Sequence, residues 1–130
     1  MHQQDAETVT ITLPLPPGIL SPNCPPASFG GRMGRAAATK KQKKLARKAA
    51  LEAEITTGPW ELASVRVVFY HKSKSRRDPD NFMGMLKSAY DGFVDAGLLV
   101  DDDSEHLKRE EPSFEIDKDS PRVEVTLTRL

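Results

Sequence analysis

A single cysteine, Cys24, stands in a chain of 130 residues, so no internal disulfide is available and packing alone must hold the fold. That usage suits a reducing compartment, and a cytoplasmic location is expected. Only three histidines (His2, His71, His106) accompany the one thiol, too few for the Cys/His sets of the common zinc sites. No apolar run approaches the roughly 18 residues of a membrane span, and none is expected. The opening MHQQDAET lacks the basic-then-apolar order of a secretory leader. Gly30-Gly31-Arg32-Met33-Gly34 lacks the lysine and hydroxyl residue of a nucleotide-binding P-loop. Asp101-Asp102-Asp103 lacks the alternation and the glycine of a calcium-binding EF-hand loop.

Net charge is also missing, but its absence hides an asymmetry. Residues 32–77 hold 13 Lys/Arg against three acids, whereas residues 78–130 hold six against 14 acids. A basic stretch suits a polyanion, and an acidic stretch beside it repels one unless cations lie between. A metal-dependent nuclease needs that pairing, although a solvated surface can also produce it. The length suits one domain, 1–130. A domain of this size buries only about two-thirds of its unfolded surface, which makes a dimer reasonable.

Val9-Thr10-Ile11-Thr12-Leu13 alternates as a half-buried strand does and is stopped by Pro14, Pro16 and Pro17. Residues 16–35, rich in Pro, Gly, Ser and Asn, read as a long loop ending at Arg32 and Arg35. Residues 36–56 are Ala- and Lys-rich and read as a helix ended by Gly58-Pro59, with Leu45, Ala49 and Ala53 on its inner face. Lys40, Lys41, Lys43, Lys44, Arg47 and Lys48 crowd its first half against the helix dipole, which suggests a use for the charge. Ser64–His71 reads as a central strand, left by the basic segment HKSKSRR. Asp78–Ala96 reads as a second helix ended by Gly97, with Phe82, Leu86, Ala89, Tyr90 and Phe93 facing the core. A third strand is expected around Phe114 and Ile116, and RVEVTLTR (122–129) is a clear fourth, with Val123, Val125 and Leu127 inward. The order β-α-β-α-β-β gives an α+β fold, a small mixed sheet packed with two main helices.

Arg76-Arg77-Asp78-Pro79-Asp80-Asn81 carries the most information. Its plainest reading is a helix start, with Asp78 as cap, Pro79 at the first position and Asp80 suited to the dipole. The second acidic patch, Asp101-Asp102-Asp103, permits another: carboxylates sharing a Mg²⁺ that activates water and stabilises a leaving oxygen. A continuous helix over 79–96 would be about 27 Å long and would hold the patches apart unless shortened, kinked near Gly84 or completed across a dimer. Lys87, seven residues after Asp80, returns nearly to the same face and could steady charge on a phosphate; equally, it forms an ordinary i,i+4 pair with Asp91. His106, Trp60 and Tyr70 read more simply as a surface histidine and core aromatics.

Residues 76–107 resemble the RusA-like Holliday junction resolvases, in particular versions found in phages. The shared order is a basic lead-in (Arg76-Arg77), D-x-D-N (Asp78, Asp80, Asn81), K-x-x-x-D (Lys87, Asp91), an Ala96-Gly97 turn and Asp101-Asp102. Ile11–Pro17, the long loop, the basic helix and the closing strand match in outline. The resemblance implies a homodimeric endonuclease, dependent on Mg²⁺ or Mn²⁺, that cuts four-way DNA junctions symmetrically in recombination and repair. It implies metal-binding roles for Asp78, Asp80 and Asp102, with Asp101 beside them, and a catalytic role for Lys87. The segment between Asp80 and Lys87 is longer here than in the shortest family members, and Asp103 offers a shifted register for Asp102. Phosphate contacts are expected from Arg32, Arg35, Lys40, Lys41, Lys43, Lys44, Lys74, Arg76 and Arg77. Two alternatives stand beside the enzyme: a non-catalytic DNA-binding protein using residues 32–48, and a protein-interaction domain without affinity for nucleic acid.

Overall fold

The computed structural model describes residues 7–23 and 26–130; His2, Cys24 and the leader comparison fall wholly or mainly outside them. The fold is α+β, a mixed five-stranded sheet with two main helices, the second bent. Strands β1 (Thr8–Leu13), β2 (Ala63–His71), β3 (Leu107–Arg109), β4 (Ser113–Ile116) and β5 (Arg122–Arg129) accompany helices α1 (Phe29–Glu52), α2 (Pro79–Gly84) and α3 (Lys87–Asp95). No helix among the described residues is long and apolar enough to cross a membrane.

The alternation of β1, β2 and β5 becomes three rows across the sheet: Val9–Leu127–Val65, Ile11–Val125–Val67 and Leu13–Val123–Phe69. All nine side chains are buried and join Ala46, Ala50, Leu86, Ala89, Tyr90 and Phe93 in one core. On the opposite face Thr8 meets Thr128 and Thr10 meets Thr126, hydroxyl to hydroxyl. Antiparallel β1-β5-β2 pairing with one packed and one solvated face accounts for that polar-apolar alternation. β2 is central, as its composition suggests, with β5 on one side and β3 and β4 in parallel on the other.

Three expectations need correction. The single strand expected near Phe114 is two short ones laid end to end along β2, against Ala63–Val65 and Val68–His71. Glu110-Glu111-Pro112 separates them, and Pro112 has no N–H to give a ladder. The loop expected over 16–35 ends sooner, and α1 begins at Phe29 rather than 36. The Ser28 hydroxyl caps it by accepting from Gly31 N at 3.0 Å, so Arg32 and Arg35 lie on the helix. Its innermost residues are Gln42, Ala46 and Ala50, with Leu45, Ala49 and Ala53 at the margin of the core. The shift follows from close packing on α3: a Cβ on Gly92 would stand 2.5 Å from Lys43 O and 2.9 Å from Ala46 Cβ, and Ser88 donates to Gln42 Oε1.

The third correction bears most on the site. Residues 78–96 form no continuous helix. α2 ends at Gly84, Leu86 takes φ −95° and ψ 4°, and Leu86 N bonds back three residues to Met83 O. The break lets Met85 and Leu86 both be buried, and Gly84 admits Pro22, whose Cγ would lie 2.9 Å from a Cβ there.

Candidate functional site

Asp78 starts α2 as the local sequence dictates. Its Oδ1 accepts from Asp80 N at 3.1 Å and Asn81 N at 3.4 Å, and Pro79 fills the first turn. The cap leaves Asp78 Oδ2 without a hydrogen bond and the exposed Asp80 carboxylate without any among the described residues. Asn81 Oδ1 accepts from Ser21 Oγ at 2.7 Å, tying α2 to the segment after the short 3-10 turn Gly18–Leu20.

The bend leaves α3 as a short helix of its own. α3 alone rises only about 12 Å, which the chain regains after Gly97, held at φ 82°. Trp60 receives the returning segment: its N–H donates to Leu98 O at 2.8 Å and its O accepts from Val100 N at 3.0 Å. Asp102 thereby comes back to the first residue of α3. Lys87 Nζ donates to Asp102 Oδ2 and to Asp91 Oδ1, both at 2.8 Å. Lys87 therefore makes the ordinary i,i+4 pair and also ties α3 to the second acidic segment through Asp102. Asp102 is 8% exposed, while the Lys87 side chain is 64% exposed. The bonds to Asp102 first and Asp91 second raise the Lys87 pKa and keep it a cation.

The three consecutive aspartates do different things. Asp101 Oδ1 accepts from Asp102 N at 2.7 Å. Asp103 Oδ1 accepts from Glu105 N and His106 N and lies 2.6 Å from His106 Nδ1. That hydrogen bond is the main cause lowering the Asp103 pKa and raising that of His106. Among the described residues, one group of three donors has all its ligand atoms within 4.8 Å of one another: Asp101, Asp103 and His106. Asp78, Asp80 and Asp102 do not form such a group. His106, read from sequence as a surface residue, therefore sits inside an acidic cluster that could hold a metal ion; its i,i+3 spacing from Asp103 was the available signal.

Two further residues at this site had no signal in the sequence. Arg109 donates to Asp102 O at 2.8 Å, and its guanidinium carbon lies 5.1 Å from the centre of the Tyr90 ring. The Tyr90 hydroxyl is buried and has no hydrogen-bond partner. Burial pushes its pKa up to about 12, against the charge of Arg109 and with a smaller push from Asp102.

The donor set fits a hard divalent cation such as Mg²⁺, which prefers carboxylate oxygens and water. Asp102 Oδ1, Asp101 Oδ2, Asp103 Oδ2, Asp78 Oδ2 and both Asp80 oxygens accept no hydrogen bond among the described residues. The orphaned Tyr90 hydroxyl beside Asp102 is a polar atom that ordered water could satisfy.

The basic residues fall into two groups. Arg32, Arg35, Lys40, Lys41, Lys43 and Lys44 are on α1, where Lys43 pairs with Asp95 at 3.1 Å. Arg35, Lys40, Lys41, Lys44 and Arg47 make no ion pair among the described residues. Lys74, Arg76 and Arg77 lie on the segment between β2 and α2, where Lys74 and Arg77 flank a groove with His71 and Phe114. No model of a known protein family matches the chain, and no curated protein matches it.

Proposed function

We propose that the protein is a Mg²⁺-dependent, structure-selective DNA endonuclease, with Mn²⁺ able to replace Mg²⁺. On this reading it resolves four-way junctions by paired nicks and works as a homodimer, because two opposed strands need two sites. One observation carries the reading: the chain returning after Gly97 sets the buried Asp102 against Lys87, 15 residues away, so that a cation is held between Asp91 and Asp102. A cation and carboxylates thus share one surface, with a basic helix alongside.

Asp78, Asp80, Asp101 and Asp102 would hold the metal, with Asp103 and His106 at its margin. When bound, the metal would lower the pKa of water and offset charge on the scissile phosphate. Lys87, held as a cation by Asp91 and Asp102, would stabilise negative charge developing on a phosphate oxygen. Arg35, Lys40, Lys41 and Lys44 on one side, and Lys74, Arg76 and Arg77 on the other, would bind phosphates and fix the register of the DNA.

A second reading, DNA binding without catalysis, draws on the structural work that the acidic residues already do: Asp78 caps α2, and Lys87–Asp91 is an i,i+4 pair. Cleavage of an end-labelled four-way junction against a matched linear duplex, with Mg²⁺ and with chelator, separates the two. Symmetric Mg²⁺-dependent nicks that disappear in Asp80→Asn are expected. Junction binding without cleavage in Mg²⁺ or Mn²⁺ would leave the binding protein as the better reading.

A further inference from the structure

Helix α1 reaches beyond its packing on α3. Gln42 is its first fully buried residue and meets Ser88, the neighbour of Lys87, so residues 29–41 extend past the start of α3. That stretch rises about 20 Å, with its inner side on Ile19 and Pro26 and its outer side in solvent. At its tip Phe29 and Met33, one turn apart, are 71% and 58% exposed. The same outer stripe continues through Lys40, Lys44 and Arg47. Residues 29–48 hold eight Lys/Arg and no acid.

We propose that Phe29 and Met33 contact DNA bases, the tip of α1 resting on an unstacked base while the cations behind it hold the adjoining phosphates. This rests on the nuclease reading and adds to it the feature of the DNA that is read. Charge selects the occupant. A second copy docked through the same face would set eight cations against eight, which is repulsive, whereas a nucleic acid offers phosphates and apolar base faces together. A fully paired duplex hides those base faces in its stack. A branch point exposes them at little cost, so the tip would favour branched DNA over linear. Position agrees. Gly34 lies against Ile19, where a Cβ would be 3.1 Å from the Ile19 side chain, Pro22 packs on Gly84, and Ser21 bonds Asn81. One short segment thus links the first half of α1 to the helix that carries Asp80.

The test uses the full chain in chelator and a synthetic four-way junction with 2-aminopurine either at the branch point or within an arm. Wild-type protein is expected to raise the emission of the branch-point probe and leave the arm probe unchanged. The double variant Phe29→Ala/Met33→Ala should abolish that rise and weaken junction binding about tenfold, leaving duplex binding and its salt dependence intact. Phe29→Trp should retain the rise. Both side chains are solvent-facing, so the variants are expected to fold, which a thermal melt checks. Unchanged emission and affinity in the double variant would overturn the inference and leave the nuclease reading standing. A variant that turns a dimer into a monomer on sedimentation would also overturn it, by assigning the tip to a second copy. Wild-type protein that fails to bind the junction would remove both readings.

Discussion

Lys87 Nζ and Asp102 Oδ2 stand 2.8 Å apart across 15 residues of chain, and the ammonium is held equally close by Asp91. The pairing is lopsided, since Asp102 is nearly buried and Lys87 reaches into solvent. Removing the lysine therefore costs more than the bond, because a desolvated carboxylate is left alone.

Lys87→Met is expected to destabilise the protein by about 1–3 kcal/mol at neutral pH. Adding Asp102→Asn should recover much of that loss, because the stranded charge is gone. Urea unfolding of wild type, single and double variants measures both steps. Equal midpoints for wild type and Lys87→Met would mean that the bridge contributes nothing to the fold.

Asp78 has a structural duty that can be separated from a metal-binding one. Asparagine caps a helix about as well as aspartate, whereas alanine costs about 1 kcal/mol. Asp78→Asn should therefore melt within a few tenths of a kcal/mol of wild type yet lose Mg²⁺-dependent cleavage. Asp78→Ala should lose both. An Asp78→Asn protein that cleaves normally would confine Asp78 to its cap.

The sheet was legible because period-two patterns in Val9–Leu13 and Arg122–Arg129 admit only one packed face, and the apolar run in Ser64–His71 suits a central strand. The helix boundaries were less so. Gly30-Gly31 and the prolines before them suggest a loop, and only the Ser28 cap shows that α1 starts at Phe29. The bend at Met85–Leu86 has no proline to announce it, although Gly84 marked where a kink could fall. It follows from packing against Pro22 and the core, which are distant in sequence. The site is partly hidden for a like reason: Asp102 reaches Lys87 through the turn at Gly97 and the pairing of Leu98–Val100 with Trp60, and Arg109 and Tyr90 join through tertiary contacts. What spacing did indicate, the cap at Asp78 and the Lys87–Asp91 pair, depends on local geometry alone.

His71 closes an aromatic group at the end of β2, stacked at 6.2 Å on Phe114 and edge-on at 5.3 Å to Phe82. Desolvation, helped by the charge of Arg77, lowers its pKa below the ordinary 6.5. The unfolded chain then binds the proton more readily than the folded one. This contribution to stability is present above pH 6.5 and is lost as the pH falls through the lower, folded-state value. Urea midpoints should decline across that window, and His71→Phe should flatten the decline. A His71 pKa at or above 6.5 by NMR titration would contradict this account.

The unpaired cations of α1 make a prediction that needs no catalysis. Each phosphate neutralised contributes about 0.9 to the slope of log affinity against log salt. Replacing Lys40, Lys44 and Arg47 with glutamine should make the slope for a linear duplex shallower by about two to three, measured by fluorescence anisotropy in chelator. Lys43 is the internal control. Its ammonium already lies 3.1 Å from Asp95, so part of its charge is spent within the protein, and Lys43→Gln should change the slope less than any of the three. A triple variant with the wild-type slope would place the phosphates elsewhere, on Arg32, Arg35 and Lys41 of α1 or on the segment of Lys74, Arg76 and Arg77. A Lys43→Gln effect as large as the others would show instead that the DNA breaks the Lys43–Asp95 pair, drawing α1 and the end of α3 into one interface.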